Sequence, residues 1–201
     1  VEKEIQYGII VLAAGNSSRL GKSKQLLRYK DQSLLKHTVQ QALSVPFSST
    51  FVITGAERED VELELENSEA SVVYNQDWNQ GMSSSIRKGI EELQMLHPEA
   101  EGCIIAVCDQ PFISSAIFTE LIEKHKHTGF GIVASSYAGT AGTPVLLSKS
   151  YFAELLLLEG QEGAKKLLTR HETNLALAPF DKGEVDIDTT EDYDRLLATS
   201  T

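Results

Sequence analysis

Residues Gly8 to Lys24 read G-I-I-V-L-A-A-G-N-S-S-R-L-G-K-S-K, and the fold is read from this stretch. Gly8-Ile9-Ile10-Val11-Leu12 is a continuous apolar run, the pattern of a parallel strand buried on both faces. The side chains then almost vanish through Ala13, Ala14, Gly15, Asn16, Ser17 and Ser18. Backbone without bulk can approach a ligand closely and turn its N–H groups toward anionic oxygens. Arg19, Lys22 and Lys24 follow. A strand, a small-residue loop and a cluster of cations together describe a phosphate site at the carboxyl end of a sheet.

Two phosphate-loop patterns compete for these residues, beside the plain alternative of a tight turn with solvated cations. A Walker A loop, G-x-x-x-x-G-K-[ST], is nearly matched by Gly15 and Gly21-Lys22-Ser23. Five residues separate the glycines, however, where that cradle needs four. The dinucleotide pattern G-x-G-x-x-G is absent. The nucleotidyltransferase signature L-A-A-G-x-S-x-R-x-G-x-x-K is met at its fixed positions by Leu12, Ala13, Ala14, Gly15, Ser17, Arg19, Gly21 and Lys24.

The chain has 201 residues, 41% apolar and 23% charged, which suits one α/β domain, residues 1–201, with a sizeable core. Its net charge of −11 and pI near 4.9 argue against a nucleic-acid partner, which needs a basic surface. A small anion is still accommodated, because a local cationic cluster outweighs a screened distant field. Cys103 and Cys108 lie at an odd offset in one apparent strand, so they face opposite ways and read as buried thiols in a reducing cytosol. The charged start, Val1 to Glu4, lacks a signal-peptide core, and no apolar run approaches a membrane span; a cytoplasmic protein without membrane contact is expected.

Further along, Ser33 can cap a helix to about Ser44 that turns Leu35, Val39, Ala42 and Leu43 inward. Thr50–Thr54 and Ser71–Tyr74 read as strands around an acidic helix over 57–67, with Val61 and Leu65 inward. Asn75 to Ser85, N-Q-D-W-N-Q-G-M-S-S-S, is polar and small except for Trp78 and Met82. Its serines either cap the next helix or form a second small-residue loop facing the first; Trp78 alone reads more readily as core. Gly102 to Cys108 is the most apolar strand and ends at Asp109-Gln110-Pro111, where an α/β sheet holds a metal or polar ligand. Phe130 to Tyr137 is another strand, and Ala138 to Thr143 reads as a Gly-rich loop. Ser148 to Leu158 reads as a helix, Gly160 to Gly163 as a break, and Asn174 to Ala178 as a late strand.

In the tail, Asp186 and Asp188 alternate in what reads as a short strand, both pointing one way, either as solvated edge residues or to meet Asp109 across the sheet. Thr189 and Asp192 match a capping box for a last helix docked by Tyr193, Leu196 and Leu197. Strands alternate with helices throughout, which predicts one mostly parallel sheet covered on both faces.

These residues resemble the molybdenum cofactor cytidylyltransferases of the MobA-like NTP transferase group, from about Ile9 to Leu197. Besides Leu12 to Lys24, the resemblance is carried by N-x-D-W-x-x-G-M-x-S-S over Asn75 to Ser85 and by Cys108-Asp109-Gln110-Pro111. Gly142-x-Pro144-Val145, Gly160-x-x-Gly163-Ala164 and Asp186-Ile187-Asp188-Thr189 follow in the expected order.

The resemblance implies a Rossmann-like three-layer sandwich of the nucleotide-diphospho-sugar transferase kind. By matching position, Leu12, Ala13, Ala14 and Gly15 hold the nucleotide, with Arg19 and Lys24 at its phosphates. Gly81, Ser83, Ser84 and Ser85 border the base. Asp109 holds Mg²⁺, with Asp186 or Asp188 completing its shell. Arg19, Lys24 and Asp109 carry the catalysis.

The implied reaction transfers CMP from CTP to the terminal phosphate of molybdopterin, a phosphorylated pterin, with transient contact to proteins that mature molybdoenzymes. CTP rather than GTP is inferred because Ala14 stands where guanylyl-transferring relatives usually have Gly. Gln161, Lys165, Thr143 and Thr190 stand where the family more often has Asp, Arg, His and Pro. The alternatives are a guanylyl or other nucleotidyltransferase acting on a sugar phosphate or isoprenoid precursor, a P-loop-like NTPase, and a non-catalytic nucleotide-binding module.

Overall fold

The first apolar run forms the strand from Tyr7 to Ala13, β1, in the interior of a sheet. The structure, a computed structural model, describes residues 5–16 and 23–199. The chain continues through β2 (Arg28–Tyr29), β3 (Gln32–Ser33), α1 (Leu34–Leu43), β4 (Ser48–Thr54), α2 (Arg58–Glu64) and β5 (Ser71–Tyr74). Then come α3 (Met82–Leu96), β6 (Gly102–Val107), α4 (Ser115–Thr128), β7 (Ile132–Tyr137) and β8 (Thr140–Ser148). The last elements are α5 (Phe152–Leu155), α6 (Lys165–Arg170), β9 (Leu175–Pro179) and α7 (Thr190–Ala198).

Seven strands form one sheet in the order β5-β4-β1-β6-β8-β7-β9. All neighbours are parallel except β8, which runs antiparallel to both β6 and β7. Alternate residues of β1 feed opposite layers. Ile9, Val11 and Ala13 pack with Leu35 and Val39 of α1, Val61 of α2, and Phe118 and Leu121 of α4. Ile10 packs with Ile86, Ile90 and Leu93 of α3, Phe152 and Leu155 of α5, and Leu167 of α6. Each of the larger apolar side chains among these stabilises the fold by roughly 1.5–3 kcal/mol on burial, so each layer has a core of its own. Cys103 and Cys108 sit in opposite layers as unpaired buried thiols, as their spacing predicts. Among the described residues no helix is long and apolar enough to cross a membrane.

A third, smaller cluster joins Leu27, Tyr29, Leu34, Ile187 and Leu196, so the β2–β3 hairpin and α7 share one apolar contact. Ser33 caps α1 by accepting from the Lys36 N–H, and Thr189 with Asp192 forms the predicted capping box of α7.

Four expectations are corrected. The Gly-rich loop over 138–143 is only a two-residue turn. Ala138 and Gly139 take left-handed conformations, φ 46° and 74°, that reverse the chain tightly, and Thr140 to Thr143 already belong to β8. The helix expected over 148–158 is a 3₁₀ turn followed by the four-residue α5, leaving Leu157 exposed. Val185 to Asp188 is not a strand; the Ile187 N–H instead donates to the Asp109 carbonyl at 3.0 Å. Leu197 is exposed, and Leu196 does the docking.

Candidate active site

Strands β4 and β5 extend to one side of β1 and β6 lies on the other. A crevice beyond the carboxyl ends of β1 and β6 is therefore where this topology places a ligand. A cleft of about 560 Å³ opens there.

One wall is the loop after β1. Leu12, Ala13, Ala14 and Gly15 all line the cleft. The Ala14 carbonyl accepts from the Ala56 N–H at 3.2 Å, and the Gly15 carbonyl accepts from Gln25 Nε2 at 3.3 Å. Gln25 is buried, so it holds the loop from beneath. Gly55 presses on the same point: a Cβ there would lie 2.6 Å from the Ala14 oxygen.

The opposite wall is the start of α3. Gly81, Met82 and Ser85 line the cleft. Asn75, at the end of β5, donates from Nδ2 to Ser84 Oγ at 2.9 Å and Ser85 Oγ at 3.0 Å. Ser84 Oγ in turn donates to the Gly81 carbonyl at 2.8 Å, and Ser83 Oγ accepts from Arg87. The serines thus lie within the first turn of α3 rather than capping it, and Ser83 and Ser84 do not line the cleft. Trp78 and Gln161 do. Gln161 is carried by a loop fastened to α3, since the Ser83 N–H donates to the Gly160 carbonyl at 3.2 Å and Arg87 to the Leu158 carbonyl. Sequence reading favoured a core role for Trp78; its place beside Gly81 and Met82 in a polar segment was the available signal.

At the floor stand Lys24 and Asp109. Lys24 Nζ is 2.5 Å from Asp109 Oδ2 and 3.0 Å from Asp188 Oδ1. The Lys24 and Asp109 side chains are only 25% and 15% exposed, so this pair is shielded beyond an ordinary surface ion pair. Burial opposes the ammonium charge, but Asp109 and Asp188 outweigh it and hold the Lys24 pKa above the usual lysine value. Burial, then the charges of Asp109 and Asp188, push the Asp186 carboxyl above the usual carboxylate range. Gln110 secures the geometry: its buried amide donates to the Thr143 carbonyl at 3.1 Å and the Gly183 carbonyl at 2.8 Å, tying β6 to β8 and to the turn before Asp186. Arg19 lies outside the described residues.

The donor set suits a hard divalent cation. Asp109 and Asp188 present carboxylate oxygens that converge on one nitrogen. Among the described residues no group of three or more His, Cys, Asp or Glu forms a complete cage. Mg²⁺ at a nucleotide site typically takes one or two carboxylates and completes its shell with phosphates and water, so the residues present fit it.

Residues 9–175 match the MobA-like NTP transferase domain. The chain belongs to this family. It is a nucleotidyltransferase, and its sheet is that of the nucleotide-diphospho-sugar transferases, as in a nucleotidyl transferase from Methanothermobacter with TM-score 0.79. The purine catabolism protein PucB of Bacillus subtilis is 28% identical over 195 residues, 92% of this chain and 93% of its own. The molybdenum cofactor cytidylyltransferase of Escherichia coli is 26% identical over 141 residues, 70% of this chain and 69% of its own. A Mycobacterium sp. strain JC1 homologue of Mycobacterium tuberculosis Rv0371c is 32% identical, with TM-score 0.83 over 96% of each chain. Rv0371c in complex with manganese is 28% identical to this MobA-like transferase, with TM-score 0.79 over 96% of this chain and 99% of that one.

Proposed function

We propose that the protein transfers CMP from CTP to the terminal phosphate of molybdopterin with Mg²⁺ as cofactor. An acceptor phosphate oxygen attacks the α-phosphorus, the bond to the β-phosphate oxygen breaks, and pyrophosphate leaves. The observation that carries this reading is the convergence of Lys24, Asp109 and Asp188 on the floor of a cleft walled by Leu12 to Gly15 and the start of α3.

Each residue has a role in it. The loop after β1 and the start of α3 bind and orient the nucleotide. Ser85 borders the base, with Ser83 and Ser84 shaping the turn behind it. Lys24 and Arg19 grip the triphosphate and offset charge that moves toward the leaving pyrophosphate. Asp109 would hold the cation together with Asp188, and Asp186 adds negative charge nearby. Mg²⁺, when bound, polarises the phosphoryl oxygens and neutralises their charge. Positioning and electrostatics supply the rate, and no covalent nucleophile is required.

Ala14 lines the cleft, and a methyl where a glycine would leave more room supports cytosine over the larger guanine. The acceptor is supported by the likeness to the cytidylyltransferase of Escherichia coli. A different small phosphorylated acceptor is the second reading: the Bacillus subtilis relative, matched over more of this chain, is a purine catabolism protein. Two free buried thiols fit a cytoplasmic setting, where transient contact with molybdoenzyme maturation proteins would deliver the product.

The test is pyrophosphate release with each of the four NTPs, with and without molybdopterin, and with sugar phosphates as alternative acceptors. CTP with molybdopterin is expected to be fastest. Preference for GTP would overturn the base assignment, and no product with molybdopterin from any NTP would overturn the acceptor.

A further inference from the structure

Lys24 occupies the point on which two carboxylates from distant parts of the chain converge. Asp109 comes from the end of β6 and Asp188 from the segment before α7, and the one ammonium reaches both at 2.5 and 3.0 Å. The two oxygens therefore lie close together, although nothing in local sequence brings them there. Three anchors outside the pair fix them: the Ile187 N–H on the Asp109 carbonyl, the Gln110 amide on Thr143 and Gly183, and Ile187 buried against Leu27 and Leu196. The backbone segments that carry the two carboxylates are thus tied together by contacts that do not involve the ammonium.

Among the described residues, Asp109 and Asp188 hold Lys24 between them, and Asp186 adds a further negative charge nearby. A divalent cation on the same oxygens would meet the Lys24 charge directly, and like charges at such separations repel strongly away from bulk water. Free metal must therefore displace Lys24 without offering it another anion. A triphosphate in the cleft, which Lys24 also lines, provides that anion.

We propose that Lys24 is an exchangeable counter-ion: it bridges Asp109 and Asp188 in the nucleotide-free protein and releases them when a triphosphate arrives, so that the site takes metal together with nucleotide and holds free metal weakly. This rests on the nucleotidyltransferase reading of the cleft. Linkage then requires nucleotide to raise metal affinity by the same factor by which metal raises nucleotide affinity.

Mn²⁺ serves as the probe, with free Mn²⁺ read by electron paramagnetic resonance. Wild type is titrated alone and with the α,β-methylene analogues of CTP and of GTP. Nucleotide is expected to tighten Mn²⁺ binding by about fivefold or more, the low end of ordinary coupling factors. Lys24→Met is expected to bind Mn²⁺ alone about fivefold or more tighter than wild type and to lose most of the coupling. Lys24→Arg, which keeps the charge, should bind Mn²⁺ alone as weakly as wild type.

A folded Lys24→Met protein that binds Mn²⁺ alone no tighter than wild type overturns the proposal. So does wild type with no coupling to either analogue, a measurement that needs no variant. Pyrophosphate release is assayed in parallel. Coupling without turnover on molybdopterin would remove the proposed acceptor and leave the counter-ion exchange standing.

Discussion

Replacing Gly81 by alanine tests whether the start of α3 is held in place by backbone contact. Gly81 has φ 107° and ψ −179°, a region essentially confined to glycine, and an added Cβ would fall 2.3 Å from the Gly160 oxygen and 2.5 Å from its carbonyl carbon. The dihedral strain costs ~1–3 kcal/mol. The overlap is with backbone, which cannot rotate aside, and adds ~1–3 kcal/mol as overpacking. Together these remove ~2–6 kcal/mol from a total of ~5–15 kcal/mol typical of a domain.

Gly160→Ala separates the two contributions. Gly160 has φ 56° but nothing within 4 Å of its would-be Cβ, so only left-handed strain of ~1–2 kcal/mol applies. Urea unfolding followed by circular dichroism measures both variants. Gly81→Ala should lose at least ~2 kcal/mol and more than Gly160→Ala, with weaker CTP binding as Gln161 and Ser85 separate. The reasoning is refuted if Gly81→Ala unfolds within ~0.5 kcal/mol of wild type, the range of an inconsequential surface substitution.

Asp109→Asn should keep its melting temperature within a few degrees while pyrophosphate release falls about 100-fold or more, beyond the usual cost of losing a residue that only supports a ligand; near wild-type turnover would remove Asp109 from the cation site. Thr189→Ala deletes the side chain that caps α7, and should cost ~1 kcal/mol in urea unfolding; an unchanged midpoint would show the box to be redundant. Asp186→Asn should raise the melting temperature of the metal-free protein at pH 7. Because the folded-state pKa of Asp186 is raised, first by burial and then by Asp109 and Asp188, its contribution to stability is present below the ordinary carboxylate pKa and lost as pH rises through the folded value. The gain should shrink toward zero below about pH 4, and equal melting temperatures at pH 7 would show that neither burial nor the other two charges act on Asp186.

Much of the fold is legible without coordinates because its signals are local. An uninterrupted apolar run such as Gly8 to Leu12 has few fates other than a doubly covered strand, and β1 is that strand. Serine and threonine caps report their helices because the cap bond spans three residues, and Ser33 and Thr189 make those bonds. The loop after β1 and the aspartate ending β6 were visible for the same reason: small residues and a carboxylate at the end of an apolar run have a meaning within their own segment. The antiparallel course of β8 was not legible, since it depends on a two-residue turn at Ala138 and Gly139 that composition presents as a longer loop. Nor was the fate of Val185 to Asp188, whose alternation imitates a strand while its backbone bonds Asp109.

The sequence by itself determined the alternation of strands and helices, the opposite facing of the two cysteines, the small-residue loop after β1 and the charged residues near it. Only the tertiary structure decided which of those charges meet. Lys24, Asp109 and Asp188 are separated by scores of residues, and an ion pair at that range follows from packing, here Ile187 against Leu27 and Leu196 and Gln110 across to Thr143 and Gly183. Local spacing encodes direction along one element; the distance between two elements is set by the core that lies between them.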